Sequence, residues 1–170
     1  MYSIFHYWSR RMKCSDLVSQ QIRDFKDGNP DAFCHFLGYM SAAVLELRLP
    51  DSVIVCAVPS CSGVLKPLQR LAADIAEICG LIDGIELIKK RFQTESFCKS
   101  GRRSYADLYD SILVDDLING RHILLLDDVS TTGTSFAAVS ARLFEAGAAS
   151  VTCLAIAKTV LVRELEPAAI

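Results

Sequence analysis

The chain has no Cys-x-x-Cys pair, no Pro- or Gly-rich stretch, few histidines and almost no net charge. Each absence removes a class of protein. Its seven cysteines, at 14, 34, 56, 61, 79, 98 and 153, are scattered, so neither a zinc ribbon nor a disulfide framework is expected. Most read as small apolar core residues, whereas Cys61 and Cys98 stand in polar stretches that suit a reactive thiol. His6, His35 and His122 have no ligand spacing, and His122 reads as packing at the start of a strand. No apolar run reaches the roughly 20 residues of a membrane span. The aromatic start, Met1 to Trp8, lacks the charged beginning and small-residue cleavage site of a secretory leader, so a cytoplasmic location is expected. A net charge of −2 gives no signal for bulk nucleic-acid binding.

What the chain does have is apolar mass. Hydrophobic residues make up 51% of its 170 positions, enough for one core and against disorder. One domain, 1–170, is expected: a helical hood over 1–50, and a core of strands and helices over 51–160. Ser15 is placed to cap a helix running to about Lys26, stopped by Gly28 and Asn29. Pro30 suits the first turn of a second helix, broken at Pro50 and Asp51. Residues 53–58 are continuously apolar, as in a strand covered on both faces. A helix over 64–79 follows, ended by Gly80, and then a short strand over 85–88. A short helix is read at 104–111, a second buried strand at 122–126, a helix at 134–145 stopped by Gly147, and a strand at 151–157. Strands alternating with helices imply an α/β fold with an open, mostly parallel sheet flanked by helices. Ligands of such sheets bind beyond the C-terminal strand ends.

Two segments carry chemistry. In 89–103, six basic residues (Lys89, Lys90, Arg91, Lys99, Arg102, Arg103) face one acid, Glu95, a balance of +5, so with the chain at −2 the remainder carries −7. The other reads Asp127-Asp128-Val129-Ser130-Thr131-Thr132-Gly133-Thr134-Ser135. An apolar strand ends in two carboxylates, a loop of small hydroxyl residues and one glycine follows, and a helix begins. Unpaired N–H groups and the positive dipole end at a helix N-terminus suit a phosphate. Small side chains and Gly133 let the backbone approach it. Asp127 and Asp128 would repel a phosphate but accept hydrogen bonds from vicinal sugar hydroxyls. Together these are the complement of a ribose 5-phosphate. A plain helix cap beside two solvated acids is the bland alternative. Asp115-Asp116, also between apolar residues but followed by no such loop, reads as a solvated turn.

On these residues the sequence resembles the 5-phosphoribosyl-1-pyrophosphate (PRPP) motif of type I phosphoribosyltransferases. More widely it resembles their competence-associated ComF-like branch, through Ile22-Arg23-Asp24-Phe25-Lys26-Asp27-Gly28, Val58-Pro59 and Leu143-Phe144-Glu145-Ala146-Gly147-Ala148. That branch's N-terminal zinc finger is not expected here. The resemblance implies ribose hydroxyls on Asp127 and Asp128, the 5-phosphate on 129–135, and a pyrophosphate loop at Pro59-Ser60-Cys61-Ser62-Gly63. It implies Mg²⁺ carried on PRPP with no direct protein ligand, and the basic 89–103 segment as a closing loop with Lys99, Arg102 and Arg103 catalytic; a solvated basic face is the plain alternative for that run. The 60–63 stretch departs from the branch, which carries His-Pro and arginines there; Lys66 is the nearby cation. The hood's aromatics, among them Phe5, Tyr7, Trp8, Phe33, Phe36 and Tyr39, either stack on an acceptor or fill the core. Transfer of phosphoribosyl to a small nitrogen acceptor with release of pyrophosphate is the implied reaction. A non-catalytic PRPP or nucleotide sensor, or an accessory module in DNA uptake or phage defence, stands beside it. A homodimer or protein partner is compatible with either.

Overall fold

The computed structural model describes residues 2–7, 16–59, 66–91 and 105–159. The strands are β1 (Tyr2–Tyr7), β2 (Ile54–Ala57), β3 (Ile82–Asp83), β4 (Ile88–Lys90), β5 (Ile112–Val114), β6 (His122–Ser130) and β7 (Ser150–Thr159). The helices are α1 (Leu17–Lys26), α2 (Pro30–Glu46), α3 (Pro67–Cys79), α4 (Tyr105–Ser111) and α5 (Thr134–Glu145). Five strands form one parallel sheet in the order β1-β7-β6-β2-β3, and β4 and β5 make a separate antiparallel ribbon.

The central strands are apolar on both faces because both are covered. On β6, Leu124 and Leu126 join a core with Ile22, Phe36 and Met40 of α1 and α2 and with Leu71 and Ile75 of α3. Ile123 and Leu125 turn to the other face, against Leu108 of α4 and Phe136, Val139 and Leu143 of α5. That alternation is the period of two along a strand. The layers are therefore three helices, the sheet, then two helices.

The order of strands fixes where a ligand can enter. From β2 the chain crosses by α3 to β3, toward one edge; from β6 it crosses by α5 to β7, toward the other. The two crossovers diverge between β2 and β6, which is the switch point where parallel sheets open a crevice.

The sequence reading is corrected in three places. Residues 85–88 are not a strand but mainly a turn between β3 and β4. Gly84 donates its N–H to the Val55 carbonyl at 2.9 Å, and its neighbour Asp83 accepts from the Ile85 N–H at 2.9 Å. A Cβ on Gly84 would run into Ile54 and Cys56, so the chain must bend there against β2. Residues 2–7 are a strand rather than part of a helical hood: β1 extends the sheet beside β7, from Tyr2 opposite Leu154 to Tyr7 opposite Thr159. Its β-branched and aromatic composition suits that place. The helices of 1–50 are present, and of the two places open to the aromatics Phe33 and Phe36 take the core. Finally, the cap of α1 is Asp16, whose side chain accepts from the Ser19 N–H at 2.6 Å; Ser15 lies outside the described residues. Among the described residues no helix is long and apolar enough to cross a membrane.

Candidate functional site

All strands of the main sheet run the same way, so their C-terminal residues share one rim. Tyr7, Thr159, Ser130 and the Ala57–Pro59 end of β2 lie along it. β6 is longer than its apolar run suggests, because pairing with β7 continues past the two acids to Ser130 opposite Lys158. Asp127 and Asp128 are thus held on a strand, half-buried, and not on a loose turn. By the strand's alternation Asp127 leans toward the α4–α5 face and Asp128 toward the α1–α3 face. Asp127 Oδ1 accepts from the Asp128 N–H at 2.8 Å, and Asp128 Oδ1 from the Val129 N–H at 2.6 Å.

Three residues, Thr131, Thr132 and Gly133, separate β6 from α5. Gly133 has φ 76° and ψ 2°, the left-handed conformation that a side chain opposes. It occupies the cap position of α5 and offers no side-chain acceptor to the first N–H groups of that helix. The hydroxyls around it are ordered by one another. Thr132 Oγ1 lies 2.7 Å from Thr134 Oγ1, and Thr131 Oγ1 lies 2.9 Å from Thr159 Oγ1, which ties the loop to the end of β7. Ser130 is buried and Ser135 half-buried. The nine sequence-predicted residues 127–135 therefore form one continuous strand end, loop and helix start.

Beside them, the Val58 N–H donates to the Leu126 carbonyl at 2.8 Å, which carries the β2–β6 pairing up to the level of the two acids, with Pro59 buried just beyond. Residues 60–63, and with them Ser60, Cys61, Ser62 and Gly63, lie outside the described residues, as do Lys99, Arg102 and Arg103. Of the basic segment, Lys89 and Lys90 belong to β4, with Lys89 Nζ 3.0 Å from Glu86. The Arg91 N–H extends the ribbon by donating to the Ser111 carbonyl at 2.7 Å. Lys66 is exposed immediately before α3. His122 lies at the far end of β6, exposed, with Nδ1 2.8 Å from Ser150 Oγ. Asp115 caps a single turn by accepting from the Leu117 N–H at 3.0 Å, a solvated turn as expected.

Sequence reasoning did not assign two neighbours, Lys26 and Thr159, to this site, and it offered Tyr7 only to an acceptor or to the core. Lys26 Nζ, from the last turn of α1, reaches Asp128 Oδ2 at 3.3 Å and lies 5.9 Å from the centre of the Tyr7 ring. Thr159 anchors the loop. The available signal was positional: residues closing parallel strands meet at one rim, but which strand neighbours which is a tertiary fact.

Among the described residues no group of three or more His, Cys, Asp and Glu side chains gathers to hold a metal. Two adjacent carboxylates are nonetheless hard oxygen donors of the type Mg²⁺ accepts when most of its shell comes from a phosphorylated ligand. Burial pushes the Cys153 thiol, on the neighbouring strand, up from its ordinary range, with the charge of Asp127 acting in the same direction.

No protein-family model matches the chain, and no curated protein matches it in sequence. Solved structures do resemble it. The glutamine PRPP amidotransferase of B. subtilis, complexed with ADP and GMP, aligns with TM-score 0.55 at 14% identity, over 80% of this chain and 30% of its own. A hypoxanthine-guanine phosphoribosyltransferase of Bacillus anthracis aligns with TM-score 0.51 at 14% identity, over 81% of this chain and 75% of its own. The phosphoribosylpyrophosphate synthetase of Mycobacterium smegmatis gives 0.46 at 19% identity, covering 71% of this chain and 33% of its own. The chain spans about a third of the length of the first and last of these three proteins. With its parallel sheet, flanking helices and divergent crossovers, the chain has the type I phosphoribosyltransferase fold.

Proposed function

We propose that the chain binds PRPP at the end of β6 and is a Mg²⁺-dependent phosphoribosyltransferase acting on a small nitrogen acceptor. The observation that carries the reading is the run from Asp127 to Ser135. Two half-buried carboxylates on a strand are followed, after five residues, by a helix whose glycine cap offers its N–H groups no side-chain acceptor, Thr132 Oγ1 standing 3.4 Å from the first of them. Asp127 and Asp128 accept from the ribose hydroxyls, and the 129–135 backbone and hydroxyls donate to the 5-phosphate. Mg²⁺, when carried in on the diphosphate, offsets the charge of that group.

In the reaction the bond from C1 to the pyrophosphate oxygen breaks and a bond from C1 to nitrogen forms. Charge grows on the departing pyrophosphate, so cations aimed there lower the barrier. Lys99, Arg102 and Arg103 are proposed for that role, with 59–63 as the pyrophosphate loop. Closure of the basic segment would keep water from taking the acceptor's place. A second reading, a PRPP-sensing regulator, is favoured by one feature: 60–63 is Ser-Cys-Ser-Gly and brings no cation to the pyrophosphate. Pyrophosphate release from PRPP and Mg²⁺ across a panel of bases and amines separates the two. Release dependent on an acceptor is the expected result. PRPP binding without release for any acceptor would leave the sensor, and no binding at millimolar PRPP would remove both.

A further inference from the structure

The ion pair between Lys26 and Asp128 has no part in the reaction described above. We infer that Lys26 is a positioning residue of the sugar-phosphate site, one that aims Asp128 at the ribose hydroxyls and offsets its charge toward the incoming phosphate. The inference rests on the reading of 127–135 as that site.

Three elements converge on the ammonium. α1 brings Lys26 in its final turn, where a cation also suits the negative end of the helix dipole. That helix is fastened at its start by the Asp16 cap and along its length by buried Ile22 and Phe25, so Lys26 is delivered from a fixed support. β6 brings Asp128 at 3.3 Å, and β1 brings the Tyr7 ring at 5.9 Å, close enough for its face to attract the charge. Asp128 is in turn gripped at both oxygens: Val129 N–H holds Oδ1 at 2.6 Å while Lys26 faces Oδ2. A carboxylate held at both ends has one orientation, and each oxygen keeps a lone pair for a further donor. Without Lys26, two neighbouring carboxylates would stand beside a phosphate with one less charge to balance them. The Lys26 side chain is 40% exposed, so the pair's role toward fold stability is small.

The test uses the full-length chain and calorimetry with two probes, ribose 5-phosphate and inorganic phosphate. Lys26→Met is expected to weaken ribose 5-phosphate about five- to ten-fold, the scale of a partly exposed charged contact. Inorganic phosphate, which meets Asp128 only through its charge, should weaken by a smaller factor, about two- to three-fold, and Lys26→Arg should restore most of the loss. In an Asp128→Asn background, Lys26→Met should have little further effect, since the two residues act through one contact. Unchanged ribose 5-phosphate affinity in Lys26→Met, or a full additional loss in the Asp128→Asn background, overturns the inference while the site itself stands. An equal loss for both probes overturns it too, by making Lys26 a direct phosphate ligand. A wild-type chain that binds neither probe removes the site and the inference together. Should Lys26→Met not fold, Lys26→Gln is read against the same outcomes.

Discussion

Both oxygens of Asp128 are engaged within the chain, one by a backbone N–H and one by Lys26, and a carboxylate has about four lone-pair directions in all. A ligand can therefore add to this residue without first freeing it. Asp127→Asn with Asp128→Asn should weaken PRPP by about 1–3 kcal/mol, through lost charged hydrogen bonds. Calorimetry on the folded double variant checks this, and wild-type affinity would contradict the assignment. Cys56 gives a prediction independent of ligand. Burial first, and the charge of Asp83 second, push its thiol from 9.0 up to about 12. The folded chain then keeps a proton that the unfolded chain gives up above 9.0. Its contribution to stability is full below 9.0 and is lost as pH rises toward 12. The urea midpoint should fall across that window, and Cys56→Ala should flatten part of the fall. A wild-type midpoint constant through the window would show the thiol to be unperturbed.

At the scale of elements, the turn from β6 into α5 depends on one backbone angle. Gly133 sits at φ 76° with open space where a Cβ would go, so Gly133→Ala meets conformational cost without a clash. A loss of about 1–2 kcal/mol in unfolding free energy is expected, with weaker phosphate binding as the loop relaxes. Chemical denaturation and calorimetry on the same variant test the two effects. Which elements could be read in advance follows the same logic of local against distant causes. α5 was legible at both ends, because a hydroxyl-rich start and Gly147 bracket its apolar spacing. β2 and the first half of β6 were legible as apolar runs, and the two acids of the site as an interruption of one of them. β1 was not, since a six-residue run of mixed aromatic, polar and aliphatic residues becomes a strand only by pairing with β7. The turn at Gly84 was hidden for a related reason: Ile85 and Leu87 are apolar, but contact with Ile54 and Cys56 sets the bend. Lys26 was visible only as a lysine at a helix end, since its partner comes from a strand several elements later.

For the molecule as a whole, a ligand at the rim would touch elements from both helical layers, α5 on one face and α1 on the other. PRPP at about a hundred times its dissociation constant should therefore stabilise the entire fold by about 2.7 kcal/mol, seen as a single shifted melting transition. Replacing Lys99, Arg102 and Arg103 with alanine should cut turnover at least ~100-fold and lower PRPP affinity less, because growing charge on the leaving group is what those cations are proposed to meet. Equal turnover in the triple variant would move that role to Lys66 or to 60–63. The strand order has a further consequence. Read by origin along the sheet, β1 comes from the first part of the chain, β7 and β6 from the last, and β2 and β3 from the first again. A piece ending at Arg91 would hold both edges of the sheet and lack its middle; a piece starting at Tyr105 would hold the middle and lack both sides. Neither can cover its own apolar strands, yet each is the missing template of the other. The two pieces, separately unfolded, should on mixing recover the circular dichroism of the intact chain, with the β4–β5 ribbon spanning the cut.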